Sequence, residues 1–175
     1  MGVNFWGVLY GLQAFIPRML AHGEEGHIVN TASEAGLLPN FGIYGISKHS
    51  VLSLSETLWS DLKARGANVS ASVLCPGIVR TNIDKAERNR PEELADAATA
   101  GVERPISGMI QRGMDPANVA EIVFESVTND RFYILPHPTW DAMVRDRVEH
   151  ILARGAPMPF DFLELSKRMD AGEQM

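Results

Sequence analysis

His27-Ile-Val-Asn-Thr31, with Asn68-Val-Ser-Ala-Ser-Val-Leu-Cys75 a helix's length downstream, decides the fold. The first stretch is short and rich in β-branched residues, which predicts a buried parallel strand; the second reads as its partner, closed by Pro76-Gly77. Between them, from Tyr44 to about Arg65, Val51, Leu52, Leu54, Leu58, Trp59 and Leu62 recur at helical spacing, and Gly66 supplies a cap. Strand, helix, strand in that order is a βαβ unit, whose crossover is expected to be right-handed. The fold class is therefore α/β, a parallel sheet with flanking helices.

Upstream, Phe5, Leu9, Leu12, Ile16 and Leu20 lie at helical spacing, with Val8 and Phe15 widening the stripe. Residues 3 to 22 thus predict a mostly buried helix that ends at Gly23, and Pro17 is expected to kink or split it. Downstream, residues 82 to 114 mix alanines and glycines with charges such as Lys85, Glu87, Arg88 and Glu92. That pattern predicts a helical, mobile excursion, or simply a solvated face. Asp115-Pro116 opens a further helix with a capping aspartate and a proline at the first position, running to Asn129. Phe132-Tyr-Ile-Leu135 follows as a short strand, residues 138 to 153 as a helix, and the tail around Pro157 and Pro159 as irregular chain before a short end helix. Trp140 and Phe160 are candidates either for a pocket wall or for core packing.

The composition narrows the function. At 175 residues, 45% hydrophobic and 22% charged, the chain has the make-up of one ordinary domain with a real core. A net charge of −6, from 16 basic and 22 acidic residues, gives no footprint for a phosphate backbone or an anionic bilayer, so no nucleic-acid or membrane partner is expected. The single cysteine, Cys75, excludes an intramolecular disulfide and a Cys-rich zinc site, and reads as a small core residue; no metal is expected. Val3 to Pro17 is apolar but interrupted by Asn4 and Gln13, a poor signal peptide and too short for a bilayer span. The expectation is a cytoplasmic protein.

The chemistry concentrates in Tyr44-Gly-Ile-Ser-Lys48. On a helix the i, i+4 spacing puts phenol and ammonium on one face. A free tyrosine titrates near pH ~10, and a neighbouring cation favours its phenolate, which suits a general acid/base. The same pair also occurs by chance as a surface contact, so context matters. Ser33 follows the strand of residues 27 to 31, at the end where parallel sheets meet their ligands, and can donate to a carbonyl or alkoxide oxygen or merely cap a turn. After the second strand, Cys75-Pro-Gly-Ile-Val-Arg-Thr81 offers Gly77 for close backbone approach and the Thr81 hydroxyl. Three polar constellations thus converge on one sheet edge. A serine hydrolase is not indicated, because no Gly-x-Ser-x-Gly pentapeptide occurs.

The order Ser33, Tyr-x-x-x-Lys at 44 to 48, and Pro-Gly-x-Val-x-Thr at 76 to 81 resembles the short-chain dehydrogenase/reductase family over roughly residues 1 to 135. The resemblance implies the C-terminal part of a doubly wound, Rossmann-like sheet, with residues 82 to 114 as a substrate lid and 136 to 175 as a helical extension. It implies NAD or NADP as cofactor and a small-molecule alcohol or ketone as substrate. By the same resemblance Tyr44 would exchange the proton with the substrate oxygen, Lys48 would favour the phenolate and hold the nicotinamide ribose, and Ser33 would orient the carbonyl. Asn4 corresponds to the asparagine that completes a proton relay, though it can also be read as a buried polar residue with a local partner. Pro76, Gly77, Val79 and Thr81 correspond to the segment that meets the nicotinamide carboxamide. Homo-oligomers paired through the helices of residues 3 to 22 and 44 to 65 are also implied, as is the alternative of a non-catalytic module associating with a full-length relative. The family's Thr-Gly-x-x-x-Gly-x-Gly turn and Asn-Asn-Ala-Gly strand do not occur in this sequence. That leads to the expectation of a truncated chain with impaired cofactor affinity and an unpaired, aggregation-prone edge on the strand of residues 27 to 31.

Overall fold

A computed structural model describes residues 1–89, 107–161, 165 and 167. The chain opens with a π-helical turn, Gly2–Trp6, that runs into helix α1, Gly7–His22, stopped by Gly23 in the left-handed conformation at φ 72°. Strand β1 is Gly26–Thr31, helix α2 Gly42–Ala64 and strand β2 Val69–Leu74. Two short helical segments, Ile83–Asn89 and α3 at Ser107–Gln111, bracket residues whose reading as a lid lies outside those described. Helix α4, Pro116–Thr128, strand β3, Tyr133–Ile134, a 3₁₀ turn at Pro138–Trp140 and helix α5, Asp141–Leu152, complete the order.

The three strands form a parallel sheet in the order β1-β2-β3, Gly26 to Thr31 standing opposite Val69 to Leu74 and Val73-Leu74 opposite Tyr133-Ile134. This is the α/β architecture expected. Because the registers are level, the three strands end together, and Ser33, Pro76-Gly77 and His137 emerge at one edge. Helix α2 packs on the sheet through Val51 and Leu52, which share a core with Ala32, Val73 and Cys75. A second core joins Leu38 and Ile78 to Met109, Ile110, Trp140 and Met158, with Phe160 packed against it. Trp140 and Phe160 therefore pack in or against the core, and Cys75 is fully buried there.

The caps agree with the sequence. The Asp115 carboxylate accepts the Ala117 N–H at 2.9 Å, with Pro116 in the first turn, and Gly66 ends α2 at φ 60°. Two expectations are corrected. Helix α1 is continuous through Pro17, and it is not mostly buried: only Leu12 is enclosed, while Tyr10 is 61% and Phe15 64% exposed. Strand β1 is likewise half-buried, with Asn30 its one enclosed residue. The reason is common to both, for the apolar pattern marks a face suited to burial, and among the described residues no layer covers the outer side of α1 and no strand pairs with the free edge of β1.

Candidate active site

Two glycines allow the serine turn to lie directly on α2. A Cβ on Gly36 would stand 2.8 Å from the Lys48 carbonyl carbon and 2.9 Å from His49 N, and one on Gly45 would stand 2.9 Å from the Ala35 oxygen. Only bare backbone fits at both points. The contact is fastened by His49, whose Nδ1 donates to the Gly36 carbonyl at 2.9 Å.

On that platform Lys48 Nζ donates to the Thr31 carbonyl, the last of β1, at 3.0 Å, and lies 5.8 Å from the centre of the Tyr44 ring. The i, i+4 pair is thus brought together as the spacing predicts. Tyr44 is 44% exposed and open to a ligand. Partial burial lowers the Lys48 pKa, with Cys75 acting in the opposite direction. Ser33 sits at the end of β1, its hydroxyl accepting from Ala35 N at 3.2 Å and donating to the Pro76 carbonyl at 3.3 Å. It both caps the 3₁₀ turn and ties the β1 end to the β2 end.

Asn4 reaches the same helix from the π-helical turn, its amide donating to Ser47 Oγ at 3.1 Å, while that hydroxyl donates to the Tyr44 carbonyl at 2.7 Å. The partner is 43 residues away, so Asn4 is linked to the turn that carries Tyr44 rather than satisfied locally. Beyond β2, Met114 N donates to Ile78 O at 3.0 Å and Arg80 N to Met114 O at 2.9 Å, so Val79 forms an isolated parallel bridge to Met114. In such a bridge the groups of Val79 itself point to the other side. Thr81 is exposed, its Oγ1 accepting from Ile83 N at 3.3 Å.

Two residues at this edge were not singled out by sequence reasoning. His137 is fully buried: the Gly77 N–H donates to its Nδ1 at 3.1 Å, and its Nε2 bonds the Ile78 oxygen at 3.0 Å. Its signal was its setting, Pro136-His-Pro138 just after a short parallel strand. Glu34 follows Ser33 and is 1% exposed, with neither carboxyl oxygen partnered among the described residues. Burial, and then the charge of Asp141, push its pKa up to about 8. An open cavity of about 840 Å³ lies at the opposite sheet edge, lined by Gly26, His27, Lys63, Ser70 and Asp130, and none of the predicted site residues borders it. Among the described residues no group of three or more His, Cys, Asp or Glu side chains is placed to hold a metal, and no helix is long and apolar enough to cross a membrane.

A parallel α/β edge bearing Ser33 and the Tyr44-Lys48 pair defines a class, and comparison with known proteins agrees with it. Residues 1–92 match the family model described as short chain dehydrogenase, and the chain belongs to that family. It is 30% identical over 167 residues to a CLA biosynthesis dehydrogenase/reductase of Lactiplantibacillus plantarum, covering 90% of this chain and 58% of that protein. It is 31% identical over 176 residues to a C alpha-dehydrogenase of a Sphingobium species, covering 98% and 57%. Among solved structures, a short chain dehydrogenase/reductase from Burkholderia phymatum in complex with NAD matches with a TM-score of 0.82 and 44% identity, over 92% of this chain and 60% of that one. The chain spans less than two thirds of the length of each of these relatives.

Proposed function

We propose that this chain carries the proton-transfer site of an NAD(P)-dependent oxidoreductase interconverting a secondary alcohol and a ketone. The observation that carries the reading is the Lys48 ammonium held by Thr31 O, 5.8 Å from the ring centre of an exposed Tyr44, at the edge where Ser33 emerges. The NAD complex of a 44%-identical relative supports the cofactor class.

In the reducing direction the Tyr44 hydroxyl gives its proton to the carbonyl oxygen, and in the oxidising direction the phenolate takes it from the alcohol. Lys48 places positive charge beside the phenol, which favours the phenolate when the proton has left. Ser33 Oγ–H, whose bond to Pro76 O is long at 3.3 Å, exchanges that partner for the substrate oxygen and stabilises charge developing there. Asn4, through Ser47, holds the first turns of α2 in place, and its resemblance to the family's relay asparagine assigns it a water-borne proton relay. The residues present fit the nicotinamide end of the cofactor: Lys48 and Tyr44 for the ribose, and the Pro76, Gly77, Val79 and Thr81 segment for the carboxamide, with the Val79 backbone turned away from Met114. When bound, NAD or NADP supplies or accepts the hydride.

Calorimetric titration of the chain with NADH and NADPH tests the cofactor assignment. Binding that weakens about tenfold or more in Lys48→Ala is expected; binding unchanged by that substitution, or no binding to this chain or to one extended upstream in its gene, would sink it. A second reading, a non-catalytic module that pairs with a full-length relative, is favoured by the apolar residues that the π-helical turn, α1 and α2 leave exposed, Val3, Tyr10, Phe15, Ile43 and Ile46. Pairing with such a relative, without turnover in any form of the chain, would select it.

A further inference from the structure

We propose that His137 is a positioning residue: in its neutral form it clamps the Gly77-Ile78 peptide and thereby sets the Val79 segment, and protonation of its ring breaks the Gly77 bond and loosens the segment at that end. The proposal rests on the oxidoreductase reading only for what the segment binds.

The clamp follows from hydrogen-bond polarity. A backbone N–H can only donate, so Nδ1 must accept from Gly77 at 3.1 Å; a carbonyl can only accept, so Nε2 must carry the hydrogen given to Ile78 O at 3.0 Å. One tautomer satisfies both, whereas the imidazolium keeps the bond to Ile78 O and loses the one from Gly77, because a hydrogen on Nδ1 would face the Gly77 N–H. The ring has no slack in which to turn. It is fully buried, and a Cβ on Gly77 would come within 3.1 Å of its Cγ and 3.2 Å of Trp140 Cε2. Ile78 O also accepts from Met114 N at 3.0 Å, so the ring and the Met114 strand segment fix one carbonyl together. The next residue is Val79, whose own N–H and C=O face away from Met114.

The titratable groups on the elements around the ring are Cys75 and Arg80 on the clamped segment, Glu34 on the serine turn, Asp115 before α4 and Asp141 at the start of α5. Arg80 pairs with Asp115 and Glu34 feels Asp141, whereas the influences on His137 are burial, which lowers its pKa, and then the bond to Ile78, which raises it. The ring is therefore neutral at physiological pH and charges only in acid, where the folded chain's Glu34, its pKa raised to about 8, already holds its proton.

The test is NMR of the full chain labelled with ¹⁵N, the five histidines being distinguished by single His→Gln variants. The expected result is a neutral Nε2–H ring for His137 at pH 7, and a Gly77 amide whose exchange protection falls at least about tenfold in step with His137 protonation. In His137→Gln, whose amide does not titrate, that acid step in Gly77 protection should be absent. An Nδ1–H tautomer, a charged ring at pH 7, or Gly77 protection that is flat across the His137 titration would overturn the clamp in the wild-type chain alone, whether or not the variant folds. NADH titration across the same pH range separates the two readings. Affinity that falls with His137 protonation in wild type but follows no such step in His137→Gln supports both. The Gly77 response without NADH binding at any pH keeps the clamp and removes the oxidoreductase reading.

Discussion

Glu34 buries a carboxyl group with no hydrogen-bond partner among the described residues, and the consequence is a stability that depends on pH in a predictable direction. Its pKa in the folded chain is about 8 against an ordinary value of 4.5, so between those values the folded state retains a proton that the unfolded state has lost. The contribution of Glu34 to folding stability is therefore fullest below pH ~4.5, falls as pH rises toward ~8, and then levels off, its total on the order of a few kcal/mol. Thermal melts at half-unit pH intervals should show this slope in wild type and its loss in Glu34→Gln; parallel curves would show that the carboxyl is satisfied after all. Nothing in the sequence marked Glu34 as buried, because a charged residue in a turn reads as solvated. The Tyr44-Lys48 pair was legible because helical spacing alone brings those side chains together. Its further anchor, the bond from Lys48 to Thr31 O, depends on where β1 ends relative to α2 and so on tertiary placement.

At the scale of elements, the approach of the serine turn to α2 depends on the missing side chains of Gly36 and Gly45. Gly36→Ala puts a methyl group against rigid helix backbone at 2.8 Å, so the turn must lift away, at a cost of ~1–3 kcal/mol. Because Ser33 rides on that turn, activity should fall more steeply than stability, with kcat reduced about tenfold or more; denaturant melts and steady-state kinetics on the same variant decide it. A change in stability without any change in kcat would show that Ser33 is not tied to the turn's position. The elements themselves were legible to within a few residues, because caps such as Asp115-Pro116, Gly23 and Gly66 are local chemistry. The burial of α1 was not, since the stripe of Phe5, Leu9 and Leu12 records an apolar face without recording its cover. For the same reason the β-branched pattern of β1 does not fix its enclosure: such residues fill edge strands as well as central ones, and among the described residues β1 pairs on one side only.

For the whole molecule, the edge of β1 that no described strand pairs with, and the apolar side chains left exposed along Gly2–Trp6 and α1, predict self-association. Val3 at 88%, Phe15 at 64% and Tyr10 at 61% exposure add up to more large apolar surface than monomeric proteins usually leave in water. Sedimentation velocity at tens of micromolar should show species larger than the 19.2 kDa chain, and Tyr10→Glu with Phe15→Glu should shift the population toward monomer. A wild-type chain that sediments as a single monomer would refute this. The central claim, a Tyr44 that moves a proton to and from a substrate oxygen, is tested most directly by NAD(P)H-dependent ketone reduction. The assay compares the chain, and a version extended upstream in its gene, with their Tyr44→Phe counterparts. The expected result is turnover whose kcat drops at least about a hundredfold in Tyr44→Phe while NAD(P)H affinity changes little; turnover that survives the loss of the phenol hydroxyl would contradict the assignment.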